Sequence, residues 1–201
     1  MLYNRRDIKK RGFTIIEMTV SIAIFAFMTA FLIAKYGSFN QSILLTNLAY
    51  DIALTLRNAQ SYGLNVKSAP DGTQNYSSNF NYAYGVHFDK STTAKSKEMI
   101  FFVDRDDNGL YDSDNNEKIS LYTIKNRFFI FDLCVGQDSR ECIDPISIMD
   151  ITFKRPDPNA LIQDSGSNKF IYGDITVQSG SNSNEKRKVK ITDLGQISVV
   201  K

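Results

Sequence analysis

Residues 13–34 read FTIIEMTVSIAIFAFMTAFLIA, a run that is apolar apart from Glu17 and small hydroxyl residues. As a helix it is about 33 Å long, close to the hydrocarbon thickness of a bilayer. Ahead of it stand Arg5, Arg6, Lys9, Lys10 and Arg11 against the single acid Asp7. Basic residues before a span and few after it predict a cytoplasmic N-terminus, with the rest of the chain outside. The run is longer than the roughly 7–15 apolar residues of a secretory signal, and no A-x-A-like cleavage site follows it. A plain signal anchor leaves Glu17 unexplained. An ionised carboxylate in a span costs about 2.5 kcal/mol or more on insertion scales and calls for a partner. Snorkelling to the nearby interface is the alternative.

The string Lys10-Arg11-Gly12-Phe13-Thr14-Ile15-Ile16-Glu17 resembles the type III signal of type IV pilins and pseudopilins: a short basic leader, Gly, Phe, then an apolar stretch with Glu at its fifth position. The resemblance implies cleavage between Gly12 and Phe13 by a prepilin peptidase and N-methylation of Phe13. It also implies an assembly salt bridge between Glu17 of one subunit and the Phe13 amine of the next. Two unit charges near 4 Å attract by about 4 kcal/mol at an effective dielectric of 20, so such a pairing neutralises a carboxylate buried in a filament core. The partners implied are other pilin or pseudopilin subunits, the peptidase, an inner-membrane assembly platform, and membrane lipid before assembly. The implied location is the bacterial inner membrane, single-pass, then an extracytoplasmic filament.

The helical pattern continues beyond the apolar run. Leu45, Leu48, Ile52, Leu56 and Ala59 recur at intervals of three and four, with Tyr36, Phe39 and Ile43 upstream and polar residues between. Gly63 is a plausible helix stop and Gly37-Ser38 a candidate bend. From residue 65 the period changes to two. Strands are expected at 83–88, 98–103, 119–124, 127–133, 147–153, 170–178, 186–192 and 196–200, divided by Asn, Asp, Ser and Gly clusters. Lys125-Asn126 and Leu194-Gly195 read as tight turns, the latter closing a hairpin. With no room for ten-residue helices between the strands, parallel βαβ units are disfavoured. The expectation is an α+β, pilin-like fold, with a long N-terminal helix packed on an antiparallel β domain. Its parts are a leader at 1–12, a membrane half-helix at 13–34, an amphipathic half at 35–63 and an extracytoplasmic β domain at 64–201.

Charge and composition exclude other classes. A chain of 201 residues with net charge +2 carries no general nucleic-acid signal, and a strongly basic leader leaves the remainder slightly acidic. His87 is the only His, and no nucleophile elbow or Gly-rich phosphate loop accompanies it. The chain is read as a non-enzyme; a signal-anchored secreted enzyme is the weakest alternative. Arg57-Asn58-Ala59-Gln60-Ser61-Tyr62-Gly63, Tyr84-Gly85-Val86-His87-Phe88, Phe101-Phe102-Val103-Asp104 and the closing segment 189–199 resemble the H-type minor pseudopilins and related minor pilins. That implies a low-abundance filament subunit of a type IV pilus or a type II secretion pseudopilus.

Three further sites stand out. Residues 104–117 open like a D-x-D-x-N-G cation loop, with Asp104, Asp106, Asn108 and Gly109 in place and Asp112 following. Position 12 is Asn115, and Glu117 falls two residues late, so a Ca2+ site is a possibility alongside an ordinary Asp-Asn-Gly strand connection. No cofactor is required. Cys134 and Cys142, on the segment expected outside the cytoplasm, are candidates for a disulfide closing a small loop. Lys186, Arg187, Lys188 and Lys190 follow a Ser/Asn-rich run, with Arg127, Lys154 and Arg155 as candidate neighbours. They are the candidate contacts for an alternative function, a DNA-binding minor pilin. The competing account is that Lys186, Lys188 and Lys190 solvate one strand face.

Overall fold

The computed structural model describes residues 12–65, 81–125, 127–137, 144–180 and 185–200. The chain divides into two compact units, Met1–Gln41 and Ser42–Lys201. Helix α1 (Ile15–Leu64) supplies the described part of the first unit from residue 15 and the opening of the second, and runs through Gly37 without a break.

In the second unit α1 buries Leu45, Leu48, Ala49, Ile52, Ala53, Leu56 and Ala59, the single face that the three- and four-residue spacing defines. Burying each of the larger side chains contributes about 1.5–3 kcal/mol. Gly63 does not stop the helix, which ends at Leu64. A Cβ at Gly63 would lie 2.3 Å from the carbonyl oxygen of Phe153, so the missing side chain lets the helix seat directly on a strand.

The described residues form eleven strands: β1 (Ala83–Asp89), β2 (Glu98–Asp104), β3 (Lys118–Thr123), β4 (Phe128–Gly136), β5 (Asp144–Ile146), β6 (Ile148–Phe153), β7 (Ala160–Asp164), β8 (Lys169–Phe170), β9 (Tyr172–Ser179), β10 (Lys186–Thr192) and β11 (Ile197–Val200). They make two sheets, ordered β3-β2-β1-β6-β7-β8 and β11-β10-β9-β4-β5. Every strand pairing is antiparallel. Inward residues of both sheets, Val86, Phe88, Ile151, Ile162, Leu133, Ile175, Val177 and Val189 among them, join the buried helix face in one core. The fold is α+β as expected.

The β10–β11 hairpin forms, with Val189 opposite Val199 and Gly195 at φ +76°, where a side chain is disfavoured. The expected turn at Lys125-Asn126 does not join neighbouring strands. β3 lies at the edge of one sheet and β4 inside the other, because Ile124 is 3% exposed and its amide bonds the Lys97 carbonyl at 2.7 Å. Burying that apolar side chain carries the backbone over the core; Asn126 lies outside the described residues.

Candidate functional site

Among the described residues, the N-terminal segment leaves the Glu17 carboxylate without an ion-pair partner. Thr14 accepts the Glu17 amide at 3.3 Å, and the hydroxyls of Thr19, Ser21 and Thr29 donate to backbone carbonyls three or four residues back. Every hydroxyl of the run is thereby satisfied within its own helix. The Glu17 carboxylate stands in the first turn of α1, where the helix dipole favours an anion. Among the described residues it makes no ion pair and is exposed. Its surroundings are exposed too: Phe13 is 79% and Ile16 73% accessible. α1 is long and apolar enough to cross a membrane.

The acidic segment 104–117 is a closed loop laid over the outer side of the first sheet. Asp104 accepts the amides of Asp107 at 2.7 Å, Asn108 at 3.2 Å and Gly109 at 2.9 Å, with Gly109 at φ +80°. Glu117, fully buried, reaches back to accept the amides of Arg105 at 2.9 Å and Asp112 at 2.8 Å. Ligand atoms of Asp104, Asp106 and Glu117 come within 4.8 Å of one another. Burial pushes the Asp104 carboxyl up to about 6 against the opposing amide donors, and burial raises Glu117 as well. The set therefore differs from the sequence expectation. Asp104 and Asp106 converge and Asn108 bonds Asp106 at 3.1 Å. Asp112 sits outside the converging trio, accepting from Asn108 at 2.9 Å. Its expected place is taken by Glu117, the residue whose spacing looked wrong. The loop is longer than the cation-loop pattern, and the buried carboxylate at its far end closes it.

The same loop explains His87. Its Nδ1 is 2.8 Å from an oxygen of Asp150, directly opposite on β6, and the Tyr111 ring lies 4.9 Å away. Asp150 also accepts the Tyr111 amide, and burial, partly offset by His87, raises its pKa. His87 thus ties the loop to the sheet. Asp150 was not legible as a partner of His87, since cross-strand partners sit far apart along the chain. Lys154 adds a further tie, its ammonium 2.6 Å from both oxygens of Asp107.

The strand proposed as a DNA contact is largely engaged in local interactions. Lys188 bonds the buried Asp174 at 2.9 Å. Lys190 lies over the Tyr172 ring at 5.6 Å and Lys186 over Phe131 at 3.9 Å. Arg187 turns to the helix, donating to Thr46 at 3.0 Å and Ser42 at 2.9 Å. Cys134 is buried and disulfide-bonded; Cys142 and Gly12's basic leader neighbours lie outside the described residues.

Residues 8–33 match the family model for the prokaryotic N-terminal methylation motif. No curated protein sequence matches the chain. Two solved structures of the minor pseudopilin EpsH from the type II secretion system of Vibrio cholerae are similar at 15% identity. One covers 79% of this chain and 94% of that one at a TM-score of 0.42; the other covers 78% and 95% at 0.41. The chain thus carries an N-terminal methylation motif that takes in Gly12, Phe13 and Glu17, on a helix with the length and apolarity of a membrane span.

Proposed function

We propose that this chain is a minor pilin or pseudopilin, a structural subunit of a type IV pilus or type II secretion pseudopilus. The observation that carries the reading is the methylation motif set on an apolar run, residues 13–34, whose one carboxylate, Glu17, makes no ion pair among the described residues. Prepilin peptidase cuts between Gly12 and Phe13 and methylates the new amine. The precursor sits in the inner membrane with its N-terminus in the cytoplasm, and the assembly platform moves it into the filament. There Glu17 pairs with the Phe13 amine of the adjoining subunit, a contact that neutralises both charges and sets axial register. Intact mass of the chain purified from cells tests this. A mature protein beginning at N-methylated Phe13 supports the reading, and an active protein that retains residues 1–12 contradicts it.

The cation expectation narrows to Asp104, Asp106 and Glu117, whose oxygens converge; a hard divalent ion such as Ca2+ suits an all-oxygen set. Calcium added to the chelator-treated protein should raise its thermal midpoint, and Asp106→Asn should remove the shift. A midpoint that ignores calcium dismisses the site. The Cys134 bridge closes on Cys142 in this reading, which peptide mapping without reductant checks.

A further inference from the structure

Asn108-Gly109 is the one Asn-Gly pair in the sequence. Glycine has no side chain to hinder its own amide, so this pair is the dipeptide most open to attack of a backbone nitrogen on an asparagine carboxamide. The fold requires both members. Gly109 has φ +80°, and a side chain there would run into the Gln163 carbonyl oxygen and the Leu161 side chain. Asn108 uses both ends of its amide: Oδ1 accepts the Leu110 amide at 2.7 Å, and Nδ2 donates to Asp106 at 3.1 Å and Asp112 at 2.9 Å. An ionised aspartate accepts but does not donate, so it cannot replace the asparagine. Nucleophile and electrophile differ in access, Gly109 being buried and Asn108 exposed. The Gly109 amide donates at 2.9 Å to Asp104, which is 2% exposed.

We propose that Asn108 is a self-modification site, held back by the closed loop 104–117 and converted when that loop opens. In the reaction the Gly109 nitrogen bonds to Asn108 Cγ and the Cγ–Nδ2 bond breaks. Nδ2 leaves as ammonia, taking up the proton that the Gly109 amide loses. A water molecule then opens the cyclic imide at either carbonyl, leaving aspartate or isoaspartate. No electron transfer is involved. In the closed loop the Gly109 proton is held by the Asp104 carboxylate, and losing it would set a second negative charge beside the first. The Asn108 carboxamide cannot turn without giving up its bonds to Leu110, Asp106 and Asp112. Both restraints end when the loop opens, and the product does not restore them. A carboxylate at position 108 faces Asp106 and Asp112 as a like charge where a donor stood. Isoaspartate also lengthens the backbone beside Gly109, which is packed against Gln163 and Leu161. The converted loop therefore stays open over the layer it covers, where Tyr111 lies against His87, and a transient opening becomes a permanent covalent record.

The full chain is held in detergent at neutral pH, with and without urea, and with a chelator present so that no cation contributes to loop closure. Peptide mapping that separates asparagine, aspartate and isoaspartate follows position 108. The folded chain should convert at least ~10-fold more slowly than the unfolded one, as a reaction routed through local opening does. Asp112→Ala, which removes one restraint at an exposed position, should speed conversion of the folded chain about 3-fold and leave the rate in urea unchanged. Asp104→Ala should speed it further; if that variant does not fold, Asp112→Ala carries the test. Exchange of the Tyr111 amide, which Asp150 accepts, should be faster in the converted chain than in the unconverted one. Equal rates with and without urea overturn the proposal, as does a folded chain that converts faster, which would make Asp104 a promoting base. Absence of conversion in urea removes the site, and unchanged Tyr111 exchange after conversion overturns the permanent opening.

Discussion

The two halves of α1 have opposite relations to the rest of the chain. Residues 42–64 place Leu45, Ile52 and Leu56 at zero exposure against both sheets. Residues 13–34 leave Ile15 at 87% and Phe27 at 77% exposed, with a carboxylate among them. Residues 42–64 are satisfied by their own domain; residues 13–34 present apolar surface that a bilayer or neighbouring helices must cover. One continuous helix thus combines a segment buried in its own domain with a segment left uncovered, and a substitution should affect folding only where it strikes the buried one.

The comparison breaks first if core and exposed positions respond alike. Ile52→Ala should cost about 2–5 kcal/mol of folding stability, whereas Phe25→Ala, measured by the same urea titration of the detergent-solubilised chain, should stay within about 0.5 kcal/mol. Gly63→Ala should cost about 1–3 kcal/mol, since the new methyl meets the Phe153 carbonyl; an unchanged denaturation midpoint would mean the helix does not seat there. The acidic loop sharpens the contrast by pH. Asp104 keeps its proton in the folded state up to about 6, against an ordinary value near 3.8. Between those values the folded state binds more protons, so this group's contribution favours folding at low pH and fades as pH rises through 6. The change from pH 4 to 7 should be about 2 kcal/mol, and Asp104→Asn should flatten it in thermal melts. Arg187→Ala, which removes donors to Ser42 and Thr46, should cost about 1 kcal/mol and speed hydrogen exchange of the helix amides near residue 46.

The helix, the N-terminal methylation motif and the closing hairpin were legible because each is a local pattern: a run, a short motif, a period, a turn. The partition into two sheets was not, since it depends on whether Ile124 is buried, a contact between distant parts of the chain. β5 and β7 escaped for related reasons. Pro145 argues against a strand, and is tolerated because β5 lies at a sheet edge, while Ala160–Asp164 follows a Pro-rich turn that reads as loop. At the sites, Glu17 stood out as a charge inside an apolar run, and Gly12 and Phe13 through the resemblance of the string around them to a prepilin signal. Glu117 and Asp150 did not: one belongs to a loop longer than the pattern used to read it, the other reaches His87 across 63 positions.

The central claim is that Glu17 acts between subunits and contributes nothing within one. It is tested most directly by Glu17→Ala in cells that make the filament, comparing the variant's amount in the sheared filament fraction with its amount in the membrane. The account predicts normal membrane levels, a processed terminus at methylated Phe13 and loss from the filament by at least tenfold, about 1.4 kcal/mol or more of assembly energy. Incorporation of the processed variant at the unsubstituted level would contradict it.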